Sequence, residues 1–128
     1  MQEIIILSGL KIDFWKGDRL NLQFIQYIKK MSNKYCCVIL SNAWKDAREM
    51  FESIPELDIF EEIIISSEVG IAKPDVNVFL YACNKLKIKP QDVIFVDDMK
   101  ENVNAAISLG MHGIIFESTA QTVRQVEG

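Results

Sequence analysis

Short apolar runs alternate with longer segments of helical periodicity along this chain, and that alternation constrains the fold more than any other feature. The short runs are rich in β-branched residues, which is typical of buried strands. The longer segments carry apolar residues three or four positions apart, as at Leu22, Ile25 and Ile28, which predicts helices with one buried face. Right-handed crossovers join strands that alternate with helices, so the sheet is mainly parallel. We therefore predict a three-layer α/β fold with helices on both faces of a parallel sheet.

The chain has 128 residues, enough for one domain with a real core, and no repeat or linker divides it. We predict a single domain over residues 1–128. Asp75 is placed to cap the helix that follows it, and Gly110 to end the next helix in a left-handed conformation. The predicted strands are Ile4–Leu7, Tyr35–Leu40, Ile63–Ile65, Val93–Val96 and Gly113–Phe116. The predicted helices are Leu22–Met31, Lys45–Ser53, Val76–Leu86, Glu101–Leu109 and Ala120–Val126.

Composition and charge argue against several classes of protein. The net charge of -4 and the scattered lysines disfavour nucleic acid as a partner, because such binders usually have a basic face. No apolar run approaches the ~20 residues that span a bilayer, and the N-terminus does not have the pattern of a signal peptide. Cys36, Cys37 and Cys83 form a poor disulfide framework, so we expect small core residues in a reducing, cytoplasmic compartment. The one histidine, His112, cannot build a His/Cys zinc site.

Polar residues gather where the predicted strands end. Ser41 and Asn42 follow one strand, Asp97 and Asp98 follow another, and Lys73 lies in a loop between them. Ligands of such sheets bind beyond the carboxyl ends of the strands, so we expect these residues to meet at one edge. Ser41 and Asn42 offer a hydroxyl, an amide and main-chain N–H groups to an oxyanion, and simple helix capping is the alternative. Lys73 can neutralise phosphate charge as a compact cation, although a solvated loop position is the commoner fate of a lysine.

The acid pair, Asp97 and Asp98, indicates a divalent cation. Two carboxylates ~4 Å apart repel by about 4 kcal/mol in a partly buried setting, so a cation or Lys73 should be near. Carboxylate oxygens suit Mg²⁺, which accepts few protein ligands together with water and phosphate. An Asp-Asp turn or a helix cap is the alternative. The apolar strand before Asp97, and Asn102 one helical turn further on, favour the magnesium site.

Three motifs occur in order along the chain: Val38–Asn42, Ser66–Asp75 and Phe95–Asp98, the last with Asn102–Ala106 and Gly110-Met111 after it. Together they resemble the motifs of the haloacid dehalogenase superfamily of hydrolases, in particular of members of the phosphatase and 2-haloacid dehalogenase kind with a helical cap. The resemblance extends from about Phe14 to the C-terminus. It implies a Rossmann-like sheet, Mg²⁺ as the cofactor, and a small phosphorylated or haloacid-type substrate.

The phosphate half of the site follows from the resemblance. It implies that Ser41 hydrogen-bonds the phosphoryl group, with Asn42 beside it. Lys73 corresponds to the lysine that stabilises the nucleophile and the charge of the transition state.

The metal half follows in the same way. Asp98 corresponds to the acid that holds Mg²⁺, with Asp97 as its neighbour. Asn102 corresponds to a supporting polar position near the metal.

The N-terminal part of the chain departs from the family pattern. Members of the family open with a strand that ends in Asp-x-Asp, where the first aspartate attacks the substrate and the second is the general acid and base. Here Ile4–Leu7 is followed by Ser8-Gly9-Leu10, and neither Asp13 nor Asp18 fits the motif. Residues 9–19 resemble the end of a cap, which indicates either an N-terminally shortened chain or a degenerate first strand. Because covalent catalysis needs a nucleophile, we predict little or no turnover.

The first strand of this fold lies at the centre of the sheet, so its slot has to be filled. An empty slot would leave several backbone groups unpaired at about 1–3 kcal/mol each. That sum approaches the whole stability of a domain, ~5–15 kcal/mol. We predict that residues 3–7 fill the slot, and a strand donated by a second copy in a homodimer is the alternative.

Two functions follow from these observations. The first is a phosphatase-type hydrolase core that keeps the phosphate and Mg²⁺ half of the site but lacks the nucleophile. The second is a non-catalytic module that binds phosphate or Mg²⁺, with a regulatory role. A phospho-receiver domain also uses an acid pair and a lysine, but its acid pair should follow the first strand, whereas here it follows the fourth.

Overall fold

The computed structural model describes residues 4–7, 15–16, 19–20, 22–43 and 47–127. The strands are β1 Ile4–Leu7, β2 Trp15–Lys16, β3 Arg19–Leu20, β4 Cys36–Ser41, β5 Glu62–Ile65, β6 Val93–Asp97 and β7 His112–Ile115. The helices are α1 Leu22–Met31, α2 Ala47–Glu52, α3 Ser66–Val69, α4 Val76–Leu86, α5 Lys100–Ser108 and α6 Thr119–Glu127. Five parallel strands form one sheet in the order β5-β4-β1-β6-β7, and β2 pairs with β3 in a separate antiparallel ribbon.

Strand β1 occupies the centre of the sheet. Ile4 pairs with Cys36 of β4 and with Val93 of β6, and the same parallel register continues to Leu7. The prediction that this run fills the central slot is therefore confirmed for residues 4–7, whereas residue 3 lies outside the described residues. The slot is therefore filled by a strand of the same chain.

Two apolar layers cover the two faces of the sheet. Alternate residues of β4 point to opposite faces: Val38 and Leu40 contact the layer that contains α4 and α5. Cys37 and Ile39 pack on the other side, against α1 and α2. Burial on both faces explains why the strands read as continuous apolar runs. The predicted three-layer α/β fold is confirmed.

The ten predicted strands and helices are all present. Most of their ends differ from the predicted bounds by one or two residues, and the others agree. Helices α1 and α4 have the predicted bounds. Asp75 caps α4, because its Oδ1 accepts a hydrogen bond of 2.9 Å from the Asn77 N–H. Gly110 has the predicted left-handed conformation, with a φ of 99°. The sequence prediction missed the β2–β3 ribbon, helix α3, and two short 3₁₀ helices at Pro55–Ile59 and Pro90–Asp92.

The cysteines and the N-terminal segment complete the comparison. All three cysteines are free; Cys37 and Cys83 are buried, whereas Cys36 is half-buried with its Sγ 3.3 Å from a Glu61 carboxylate oxygen. The prediction of a cap remnant at residues 9–19 falls mostly outside the described residues. Within the described part of the chain, no helix has the length and apolar character needed to cross a membrane.

Candidate active site

Lys73 is the centre of the polar network at the carboxyl edge of the sheet. It lies in the loop between α3 and α4, and only 3% of its side chain is exposed. Its Nζ donates to the Leu40 carbonyl at 3.1 Å and lies 3.4 Å from Oδ2 of Asp97. Leu40 belongs to β4 and Asp97 to β6, the two strands that flank β1. The ammonium therefore bridges the two strands just beyond Leu7, the last residue of β1.

Asp97 is fully buried at the end of β6, and both of its carboxylate oxygens accept hydrogen bonds. Its Oδ2 accepts hydrogen bonds from Lys73 Nζ and, at 2.9 Å, from Asn102 Nδ2. Its Oδ1 accepts a bond of 2.8 Å from the Met99 N–H. A buried carboxylate is tolerated when its charge is paired and its lone pairs are bonded, and both conditions hold here. Asp97 therefore anchors Lys73 and leaves neither carboxylate oxygen without a protein partner.

Asn42 fastens the loop that carries Lys73. Its Oδ1 accepts a hydrogen bond of 3.0 Å from the Lys73 N–H, and its Nδ2 donates to the Lys73 carbonyl at 3.0 Å. The sequence predicted contact between Asn42 and a phosphoryl group. In the structure, both polar atoms of its side chain have partners on the main chain of Lys73.

Ser41 and Ser66 lie at the ends of neighbouring strands with different surroundings. Ser41 is the last residue of β4 and is half-buried, between Leu40 and Asn42, which both bond Lys73. Ser66 begins α3 directly after β5, and its Oγ lies 3.1 Å from the N–H and 3.4 Å from the carbonyl oxygen of Ala43. Ser66 thus connects the loops after β4 and β5.

Asp98 is half-buried beside Asp97, and its surroundings disfavour its negative charge. Burial raises the pKa of the Asp98 carboxyl, and a hydrogen bond and the charge of Asp97 raise it further. Lys73 acts in the opposite direction, which places its ammonium within electrostatic reach of Asp98. A divalent cation at Asp98 would offset the cost of the second carboxylate.

The acid pair offers Mg²⁺ few protein ligands, and hydrogen bonds already occupy part of Asp97. In the described ranges, no three His, Cys, Asp or Glu residues come together as a ligand cluster. Mg²⁺ nevertheless accepts one or two carboxylates and completes its coordination with water and phosphate. Both oxygens of Asp97 already accept hydrogen bonds, which use part of their capacity to bind a cation.

The six predicted site residues thus lie at one edge of the sheet: at the end of β4, in the loop that carries Lys73, and at or after the end of β6. Lys73, Asp97 and Asn102 are in direct contact, and Asn42 bonds the main chain of Lys73. Ser41 and Asp98 adjoin this network through their chain neighbours. The sequence analysis missed the Leu40 carbonyl, and a main-chain acceptor carries no side-chain signature that could have revealed it.

A parallel sheet with a hydroxyl, a buried lysine and an acid pair at its carboxyl edge defines an α/β protein suited to bind an anion beside a cation. The sequence model of the haloacid dehalogenase-like hydrolases matches residues 21–116. The chain belongs to this family. The resemblance stated from the three motifs is confirmed.

Curated relatives and solved structures agree with that assignment. Bifunctional epoxide hydrolase 2 of Mus musculus is 30% identical over 115 residues, which cover 86% of this chain and 20% of that protein. The sesquiterpene phosphatase astK of Aspergillus oryzae is 33% identical over 86 residues, 65% of this chain and 44% of that protein. This chain therefore spans only a fraction of the length of these relatives.

A HAD family enzyme of Bacteroides thetaiotaomicron, solved in complex with magnesium and inorganic phosphate, has the same fold. The TM-score is 0.76 at 16% identity, over 91% of this chain and 95% of that chain. Identity this low supports the fold alone. The magnesium and the phosphate are features of that structure.

Proposed function

We propose that this chain is a phosphatase-type haloacid dehalogenase-like core that binds the phosphate of a small phosphomonoester but turns it over slowly or not at all. The observation that carries the proposal is the buried ammonium of Lys73, which bridges β4 and β6 just beyond the end of β1. A cation fixed at that point, at the end of the strand that carries Ser41, favours a dianionic phosphoryl group. The phosphatase among the relatives supports phosphate over a haloacid.

The low turnover follows from the residues after β1. The sequence has no Asp-x-Asp, and Ser8-Gly9-Leu10 stands directly after the central strand. A nucleophile that forms a phosphoryl-enzyme intermediate is then missing, so the remaining residues can bind and orient an ester without cleaving it. We also propose that residues 1–128 act as a single core domain.

We propose Asp98 as the residue that would hold Mg²⁺, with Asp97 and Asn102 in support. When bound, the cation would neutralise phosphate charge. Asp98 would supply one carboxylate, Lys73 would balance the phosphate on the other side, and Asp97 would keep Lys73 in place.

A phosphatase assay with several phosphomonoesters and Mg²⁺ tests the low turnover. We expect no rate above the background that contaminating phosphatases produce. Robust hydrolysis that disappears in Asp98→Ala would contradict the proposal, because the site would then be catalytic.

The second candidate, a non-catalytic phosphate- or Mg²⁺-binding module, is favoured by the same absence of Asp-x-Asp. Calorimetric titration with inorganic phosphate, in the presence of Mg²⁺, distinguishes it from a protein with no site. Saturable binding that weakens in Ser41→Ala and persists in Ser67→Ala, at an exposed serine, supports a phosphate site. Equal binding by both variants would place the phosphate elsewhere.

A further inference from the structure

The side chain of Asn42 bonds both main-chain polar groups of Lys73, its N–H and its carbonyl. The Lys73 N–H donates to Asn42 Oδ1, and Asn42 Nδ2 donates to the Lys73 carbonyl, each at 3.0 Å. The two residues are 31 positions apart in the sequence. Such a reciprocal pair fixes both the distance and the orientation of the two segments. Each polar atom of the carboxamide thus has a main-chain partner.

The same short segment of chain also holds the other end of Lys73. The ammonium donates to the carbonyl of Leu40, two residues before Asn42, and the loop end of the lysine is held by Asn42 itself. A lysine side chain has four flexible carbons and loses its position easily unless both ends are held. Because Leu40 and Asn42 lie at the end of β4, the sheet fixes the lysine directly.

We propose that Asn42 is a positioning residue, which sets the place of the Lys73 ammonium before any anion arrives. This inference rests on the proposed phosphate site and assigns to Asn42 a role through Lys73 in place of direct contact with phosphate. It also explains how the lysine keeps its position in a chain without a nucleophilic aspartate: Asn42, the Leu40 carbonyl and Asp97 hold it.

Other contacts fasten the same loops, so loss of the Asn42 amide should leave the fold intact. Ser66 Oγ bonds Ala43, and Arg48 donates to both Glu68 oxygens, at 2.8–3.0 Å, and to the Ile63 carbonyl. These bonds connect the segment after β4 with β5 and α3 without the carboxamide. Asn42→Ala is therefore a usable variant for a measurement on the folded protein.

Asn42→Ala can be compared with Asn77→Ala, which removes an exposed amide close to the same loop. The Asn77 side chain donates a hydrogen bond to Asp75 Oδ1 through Nδ2 at 3.0 Å. In a titration with inorganic phosphate and Mg²⁺, we expect Asn42→Ala to weaken binding about tenfold, since two hydrogen bonds of ordinary strength position the lysine. Asn77→Ala should bind as the unaltered chain does.

A second measurement reports on Lys73 without any ligand. Brief treatment with acetic anhydride, followed by peptide mass spectrometry, measures how accessible each lysine amine is. Lys73 is buried and should react slowly; in Asn42→Ala it should react several-fold faster, while the other lysines and the melting temperature stay nearly unchanged. Unchanged Lys73 labelling in a folded Asn42→Ala protein would overturn the inference.

A double-mutant cycle separates positioning from a direct contact with phosphate. If Asn42 acts through Lys73, Asn42→Ala causes no further loss of phosphate affinity in a chain that already carries Lys73→Met. Additive losses would mean that Asn42 contacts phosphate itself, against the inference. If the unaltered chain binds no phosphate, the proposed function fails, and the labelling of Lys73 alone decides the role of Asn42.

Discussion

Replacement of Lys73 by methionine tests whether the buried ion pair supports the whole domain. Methionine keeps much of the volume of the side chain but removes the charge opposite Asp97, whose side chain is 0% exposed. Asn102 and the Met99 N–H would still bond Asp97, but the ammonium that balances this buried carboxylate would be lost.

The expected loss is large relative to the stability of a domain. Removal of one partner of a buried ion pair costs about 3–5 kcal/mol, out of a total of ~5–15 kcal/mol. For a chain of 128 residues, each kcal/mol lowers the melting temperature by about 3–5 °C, so the shift should be roughly 10–25 °C. Thermal and urea denaturation, followed by circular dichroism, measure both quantities.

Lys85 provides a matched control for this loss. Its Nζ lies 3.4 Å from a Glu62 carboxylate oxygen, the same distance as in the Lys73–Asp97 pair, but its side chain is 43% exposed. Lys85→Met should therefore cost no more than about 1 kcal/mol. The reasoning also predicts that Lys73→Met combined with Asp97→Asn is more stable than Lys73→Met alone, because no buried charge remains. Similar losses for Lys73→Met and Lys85→Met would refute the buried-pair argument, and so would a double variant less stable than Lys73→Met.

Three further predictions concern the acid pair, the sheet edge and the thiols. Because the folded-state pKa of Asp98 is raised above its ordinary 3.8, its proton stabilises the fold below that value, and this stability is lost as the pH rises through the raised pKa. Asp98→Asn should thus raise the melting temperature at pH 7 without Mg²⁺ and have no such effect near pH 3; an equal gain at both would contradict the explanation. Gly113→Ala would place a Cβ 2.7 Å from Val103 Cγ1 and from Ile107 Cγ1, so urea denaturation should show a loss of about 1–3 kcal/mol, part of which Ile107→Ala should recover. Burial raises the pKa of Cys36 to about 11, so the native protein should react slowly with a thiol reagent at pH 8 and quickly in urea, whereas a fast native phase would argue against a buried thiol.

The sequence predicted the layers of the fold because a strand that is buried on both faces appears in the sequence as a continuous apolar run. Strands β4 and β6 are buried on both faces, so their runs are apolar and stand out from the helical stripes. Helix α4 was predicted to the residue because Asp75 marks its start. Helix α3 was missed, since it has only four residues, follows Ile65 of β5 directly, and has no side-chain cap.

The site was only partly predictable for a different reason. The order of the motifs indicated which residues gather at the sheet edge, and the structure brings Lys73 and Asp97 to 3.4 Å. The sequence could not predict that Asn42 bonds the main chain of Lys73. Nearly every residue offers the same main-chain N–H and carbonyl, so nothing in the sequence marks Lys73 as the partner. Likewise, no local pattern reveals which of two adjacent aspartates turns inward, and the contacts of Asp97 decide it.

The central place of β1 has a consequence for the synthesis of this protein. One of the two partners of β1 in the sheet, β6, begins only at Val93 and is therefore made well after β1. Until then one edge of the nascent sheet has no neighbour, and closing so long a loop is slow. A ribosome stalled before Asp97 emerges should hold an unfolded, protease-sensitive chain, and folding should begin only when β6 has left the exit tunnel.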